Sequence, residues 1–269
     1  MAINADDVPI ITGLLSQERL SGLIALTGCP YTAIELHQET LRLGASLMNV
    51  IATIEISLRN SVAENLSAYF GVSNWVQQPP VALNWKEPER KKIKDAIDSA
   101  RRAEYSKLSQ AEKAKLDILA YPKGRPPNTS HKKRAQNRRR YIPVTDGKVI
   151  AELTLYFWKR LYSPEYEQAL WRTTLKRSFP DKTIRRADVA AHLEHIYQAR
   201  NRLAHHEAVM HRRFYDTMQS IRFVTRQLGV HANCETTPLA LLLKEEIDLV
   251  CYQEAELNAR INTYRARCE

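Results

Sequence analysis

The chain has 269 residues, 44% of them apolar and 26% charged, enough for one large domain or two small ones with a core, which excludes a disordered chain. With 40 Lys and Arg against 30 Asp and Glu, the formal charge is +10 and the pI about 9.5. Such a surplus favours a polyanionic partner, nucleic acid first and an anionic membrane surface second. Only 8 glycines and 12 prolines interrupt the chain, which favours long helices over a many-turned sheet protein.

The N-terminus, MAINADDVPIITGLL, starts acidic and has no basic segment ahead of an apolar one, so no signal peptide is expected. No uninterrupted run of about 18 apolar residues follows, so no membrane-spanning helix is expected and the protein is placed in the cytoplasm. Cys29, Cys234, Cys251 and Cys268 form no CxxC pair. They are expected to be reduced and mostly buried, with neither a zinc site nor a disulfide framework.

Residues 16–28 have a Ser start and a Gly stop for a short helix. From Tyr31 to Phe70, Leu47, Ile51, Ile54, Leu58, Val62 and Leu66 recur at spacings of three and four, which predicts a long helix with one apolar stripe, closed by Gly71. Pro79-Pro80 excludes a helix in WVQQPPVALNW. A charged helical pattern returns over 88–119, with Pro88 in its first turn.

The segment 121–143 has three Lys, five Arg, four Pro and no acidic residue. It is expected as a basic loop or mobile arm, either a solvated linker or a phosphate-binding arm that uses Lys132, Lys133, Arg134, Arg138, Arg139 and Arg140. Aromatic-rich helical segments follow, broken by Pro164, and Tyr156-Phe157-Trp158 reads as core ahead of a base-stacking platform. A further long helix begins near Lys182 or Arg186. Helix resumes after a possible break over 207–228, with Gly229 as its stop, and a last helix runs from Pro238. The fold class is all-α, one domain over 1–269, with 121–143 as an arm and 238–269 as an extra C-terminal helix.

The stretch QARNRLAHHEAVMHRR, 198–213, holds the candidate chemistry. At about 100° per residue, Leu193, Ile196, Tyr197, Leu203 and Ala204 share the face to be buried, with Arg200 near its middle. Asn201 and His205 share a face beside it, and His206 points to the other flank. An arginine on an apolar stripe needs a partner or a wet cleft. Glu55, within the stripe of Ile51, Ile54, Leu58 and Val62, is the natural counter-ion, with Arg59 and Asn60 one turn on.

A histidine with a pKa near 6.5 can take a proton from a ribose 2′-OH or give one to a leaving 5′-oxygen. An arginine can neutralise charge growing on phosphoryl oxygens, and an asparagine amide can hold the phosphate. One helix supplies one such set, whereas acid and base are two tasks, so a symmetric dimer would complete it. The plain alternative is a helix surface that carries these residues by chance. His206, Glu207 and His211 miss the HExxH zinc-protease spacing by one residue. His192 and His195 lack a third ligand at suitable spacing.

Arg200-Asn201-Arg202-Leu203-Ala204-His205 matches the RNxxxH form of the HEPN ribonuclease motif. With Glu55, Arg59 and Asn60 as an ExxxRN element, Phe157-Trp158 and Leu170-Trp171 as the aromatic region, and the motif extended through Glu207, the chain resembles the Abi-like (AbiD/AbiF) abortive-infection family over roughly residues 30–225. The resemblance implies an all-helical HEPN-like bundle, a homodimer, and cleavage of RNA to a 2′,3′-cyclic phosphate with no metal or cofactor. It implies a toxin-like role in anti-phage defence, restrained by an antitoxin, a structured small RNA ahead of a nucleotidyltransferase protein. Arg200 and His205 are then catalytic with Asn201 in support, and Glu55, Arg59, Asn60 and His206 organise the site. The competing expectation is an RNA-binding protein of the same fold that does not cut; a membrane-surface or protein-interaction module ranks third, and no membrane partner is expected.

Overall fold

The computed structural model describes residues 3–230 and 236–266. The fold is all-α: 74% of the structure is helical, with no strand among the described residues. The helices are α1 (Val8–Leu15), α2 (Gln17–Thr27), α3 (Pro30–Phe70), α4 (Glu87–Lys107), α5 (Gln110–Ala120), α6 (His131–Arg139), α7 (Asp146–Glu152), α8 (Leu155–Arg160), α9 (Arg186–Ala204), α10 (His211–Gln227), α11 (Pro238–Leu242) and α12 (Lys244–Arg265). The chain divides into two compact units, unit 1 from 1–56 and 191–269 and unit 2 from 57–190, with the divisions falling inside α3 and α9.

Local signals account for most boundaries. Ser16 accepts a hydrogen bond from Arg19 N at the start of α2, and Gly28 ends it at φ 65°, a left-handed value that glycine adopts without a Cβ clash. Gly71, at φ 68°, follows α3 in the same way. The charged pattern over 88–119 is two helices. Ser109 and Glu112 form a reciprocal capping box that starts α5, and Leu108 leaves the helical region at ψ 139°.

In unit 1, α2 packs against α1 and α12, and α11 against α10 and α12. Arg260 on α12 bonds Glu39 on α3 and lies 3.6 Å from Glu35. Leu47, Val50, Ile51 and Ile54 on α3 are fully buried. Although the sequence has no uninterrupted apolar run of spanning length, α3 contains an 18-residue window of mean hydropathy 1.3, and by length and composition it could cross a membrane. A third of that window is buried by protein, Leu47, Val50, Ile51 and Ile54 among it, while Ile56 is 48% exposed.

In unit 2, α4 packs on α6, α7 and α8, and α5 on α6. Trp85 lies 6.0 Å from Trp75 and 5.6 Å from Phe157, ring centre to ring centre. Phe157 and Trp158 are buried core as expected, while Tyr156 is half-buried. Glu89, 1% exposed, accepts from Arg160 Nε at 2.9 Å and from the Tyr166 hydroxyl at 2.8 Å, so its buried charge is paired.

The segment 121–143 departs from the expected loop or arm, because residues 131–139 form α6, capped by Ser130, whose hydroxyl accepts from Lys133 N. Asp117 on α5 supplies the missing counter-charge. It accepts from Arg138 Nε and Nη2, both at 2.6 Å, and from Arg134 Nε at 3.2 Å. The cysteine expectation also needs correcting: Cys29 is exposed and Cys251 half-buried, and Cys234 and Cys268 lie outside the described residues.

Candidate functional site

The QARNRLAHHE stretch forms the last turns of α9 and the turn that ends it. Leu193 and Ile196 are fully buried and Ala199 is 3% exposed. The buried face is therefore rotated toward Ala199, and Arg200 lies half-buried at its border, not at its middle as the spacing predicts. Ala204, expected on the same face, is exposed.

The helix ends at Ala204, and two hydrogen bonds define its termination. His206 N donates to Leu203 O at 3.0 Å and Glu207 N to Arg202 O at 2.9 Å, the paired bonds of a Schellman turn. His206 holds the left-handed position of that turn, at φ 57°, where glycine is the usual occupant and histidine one of the residues that tolerates it. Arg202 fastens the turn from within by an ion pair to Glu207 at 3.0 Å. Arg19 on α2 fastens it from outside, donating from Nη1 to the His206 carbonyl at 3.0 Å.

His205 is thus the capping residue of α9, exposed, and still tied to the helix through its N–H to Asn201 O at 3.2 Å. The side chains of Arg200, Asn201 and His205 make no hydrogen bond or ion pair among the described residues. The expected Glu55–Arg200 pair is therefore not formed; Glu55 is half-buried and has other interactions. Three unpartnered polar groups, a cation, an amide and an imidazole, lie in the last turns of α9 and its cap, Arg200 and Asn201 half-buried and His205 exposed.

Asn201 and Arg202 also line a cavity of about 430 Å³ between α9 and α10, together with His195, Arg213, Asp216 and Thr217. His192 and His195 each set Nδ1 against Ser220 Oγ, at 3.1 and 3.2 Å. Ser220 is fully buried and donates to Asp216 O at 2.8 Å, so these histidines fasten α9 to α10. Among the described residues, no group of three or more His, Cys, Asp or Glu side chains could hold a metal.

The other expected site residues lie in unit 2. Arg59 donates from Nη1 to Ala151 O at 3.2 Å and so caps the last turn of α7, and Asn60 is exposed. In the basic run Arg138 is 7% exposed and, with Arg134, engaged by Asp117, which removes both from the expected set of free RNA-binding cations. The two guanidinium groups, Arg138 before Arg134, hold the Asp117 carboxyl well below the usual carboxylate range. Lys132, Lys133 and Arg140 are exposed and Arg139 half-buried.

Three contributors escape a reading of the sequence. Arg19 holds the His206 carbonyl from 187 residues away, and nothing in its own surroundings marks that role. Burial first and Arg19's charge second lower the pKa of His37 on α3. Gly44, inside the long α3, lies where an added Cβ would meet Leu203 Cδ2 at 3.2 Å. An isolated glycine in a helix interior is the one signal that points to such an approach. Compared with family models, curated proteins and solved structures, the chain finds no match.

Proposed function

We propose that this chain is a metal-independent endoribonuclease, a toxin-like effector of anti-phage defence acting in the cytoplasm as a homodimer. One observation carries the proposal: Arg200, Asn201 and His205, in the RNxxxH spacing of HEPN ribonucleases, lie in the last turns of α9 and its cap with no intramolecular partner among the described residues. Polar side chains that stabilise a fold are hydrogen-bonded to it; these are available to a ligand. The charge of +10 favours RNA as that ligand.

His205 accepts the proton of a ribose 2′-OH, and the freed oxygen attacks the adjacent phosphorus. The bond to the 5′-oxygen breaks, that oxygen takes a proton, and a 2′,3′-cyclic phosphate remains. Arg200 neutralises the charge that grows on the phosphoryl oxygens, and Asn201 holds the phosphate. The second histidine of a dimer supplies the proton for the leaving oxygen. The family resemblance gives Glu55 an organising role and favours a structured small RNA as the antitoxin.

Expression of the wild-type chain should arrest growth, and Arg200→Ala or His205→Ala should relieve the arrest with the fold intact. Cleavage in vitro should persist in EDTA and leave a cyclic phosphate end. Toxicity that survives both substitutions removes this reading. A second reading, an RNA-binding protein that does not cut, is favoured by the absence of any second titratable side chain bonded to His205 among the described residues. RNA that stays intact during long incubation with purified dimer selects it.

A further inference from the structure

A basic groove in unit 2 is not used by the proposed nuclease chemistry. It has a volume of about 850 Å³ and lies between α4 and α6, with Trp85 and Ile93 among its apolar lining. Six cations border it, Arg90, Lys94, Arg101 and Arg102 from α4 and Arg139 and Arg140 from the end of α6, against one carboxylate, Asp98. Arg90 makes an exposed ion pair with Glu87 at 3.1 Å. The other five cations have no ion pair among the described residues.

The groove also contains buried donors. Trp85 Nε1 and Arg101 Nε are buried without a hydrogen-bond partner among the described residues, and both residues line the groove. Buried donors ordinarily have acceptors, and here the cation lining favours an anionic one. Positions 90, 94 and 101 fall within about 40° of one another around α4 and extend over about 16 Å of its length. That row is longer than one phosphate group can engage, and it follows a line.

We propose that this groove binds a single strand of nucleic acid through its phosphate backbone. A channel between two packed helices admits one strand, whereas duplex recognition places a protein element into the grooves of the duplex. Trp85 is only 3% exposed, so it offers no stacking platform, and the groove binds with little sequence preference. The proposal holds whether or not the end of α9 cuts RNA.

DNA lacks the 2′-OH nucleophile, so binding of single-stranded DNA to the native chain reports on the groove without cleavage. The measurement is fluorescence anisotropy with DNA and RNA oligomers of about 12 nucleotides across a salt series. Lys94→Glu with Arg102→Glu, both at exposed positions, should weaken binding of both oligomers about tenfold or more. The same pair should flatten the log–log salt slope by about one for each phosphate that the groove no longer neutralises. Lys94→Ala with Arg102→Ala should weaken binding less, in the same direction, at an unchanged melting temperature. Lys182→Glu with Lys244→Glu, exposed and outside the groove lining, is the charge-matched control and should weaken binding less than about threefold. Equal weakening in the groove and control variants, full binding by the groove variant, or duplex competing as well as single strand each overturn the proposal. None of these outcomes bears on His205, whose own test is cleavage.

Discussion

Two basic stretches, HKKRAQNRRR at 131–140 and RNRLAHH at 200–206, look alike by composition and are used differently. On α6, Arg138 is 7% exposed and, with Arg134, bound to Asp117, and the Tyr105 hydroxyl accepts a further bond from Arg138 at 3.3 Å. At the end of α9, Arg200, Asn201 and His205 have no partner among the described residues, while the neighbouring Arg202 is occupied with Glu207. Local charge density therefore does not reveal which cations can meet a ligand. The position of the nearest carboxylate does, and for α6 it lies 17 and 21 residues upstream of Arg134 and Arg138.

The largest expected effect separates the two stretches by activity. His205→Ala or Arg200→Ala should lower RNA cleavage by about 10²-fold or more and change unfolding free energy by no more than about 0.5 kcal/mol. Cleavage assays paired with denaturant titration check both halves. A destabilisation of several kcal/mol instead would mean that these side chains hold the fold, and the contrast with α6 would fail.

Next in size is Asp117→Asn, which removes the counter-ion of a buried arginine and should destabilise by about 2–3 kcal/mol in urea titration. Because Arg138 and Arg134 depress the folded pKa of Asp117, its contribution is complete above the unfolded value of about 3.9 and is lost as pH falls below it. Unfolding free energy measured at successively lower pH below about 4 should fall steeply for the wild type and less so for Asp117→Asn.

His206→Gly should stabilise by about 1 kcal/mol, because glycine accepts φ 57° without the Cβ clash of the left-handed region. Cleavage should stay close to wild type, which would identify the second histidine of the doublet as a turn residue. Cleavage abolished by His206→Gly would place its imidazole in the chemistry.

The smallest effect sharpens the comparison within α6 itself. Arg139→Ala, one residue from Arg138 but with no ion pair among the described residues, should shift stability by less than about 0.5 kcal/mol. Arg138→Ala should be clearly worse on the same urea curves.

What the sequence alone determined were the features set by short-range chemistry. The stripe from Leu47 to Leu66, the Ser16 and Gly28 ends of α2 and the Pro88 start of α4 each follow from residues within a turn or two, and the all-α class follows from their sum. Helical angle separated His205 from His206, and the Schellman turn that ends α9 holds His206 in the left-handed region. Tertiary structure decided everything that depends on a distant partner. Asp117 turned an expected arm into α6, Ala199 took the buried position assigned to Arg200, and Arg19 reached the His206 carbonyl across 187 residues. Helical periodicity reports which way a side chain points, but burial and ion pairing depend on what another part of the chain brings there, and no local window contains that.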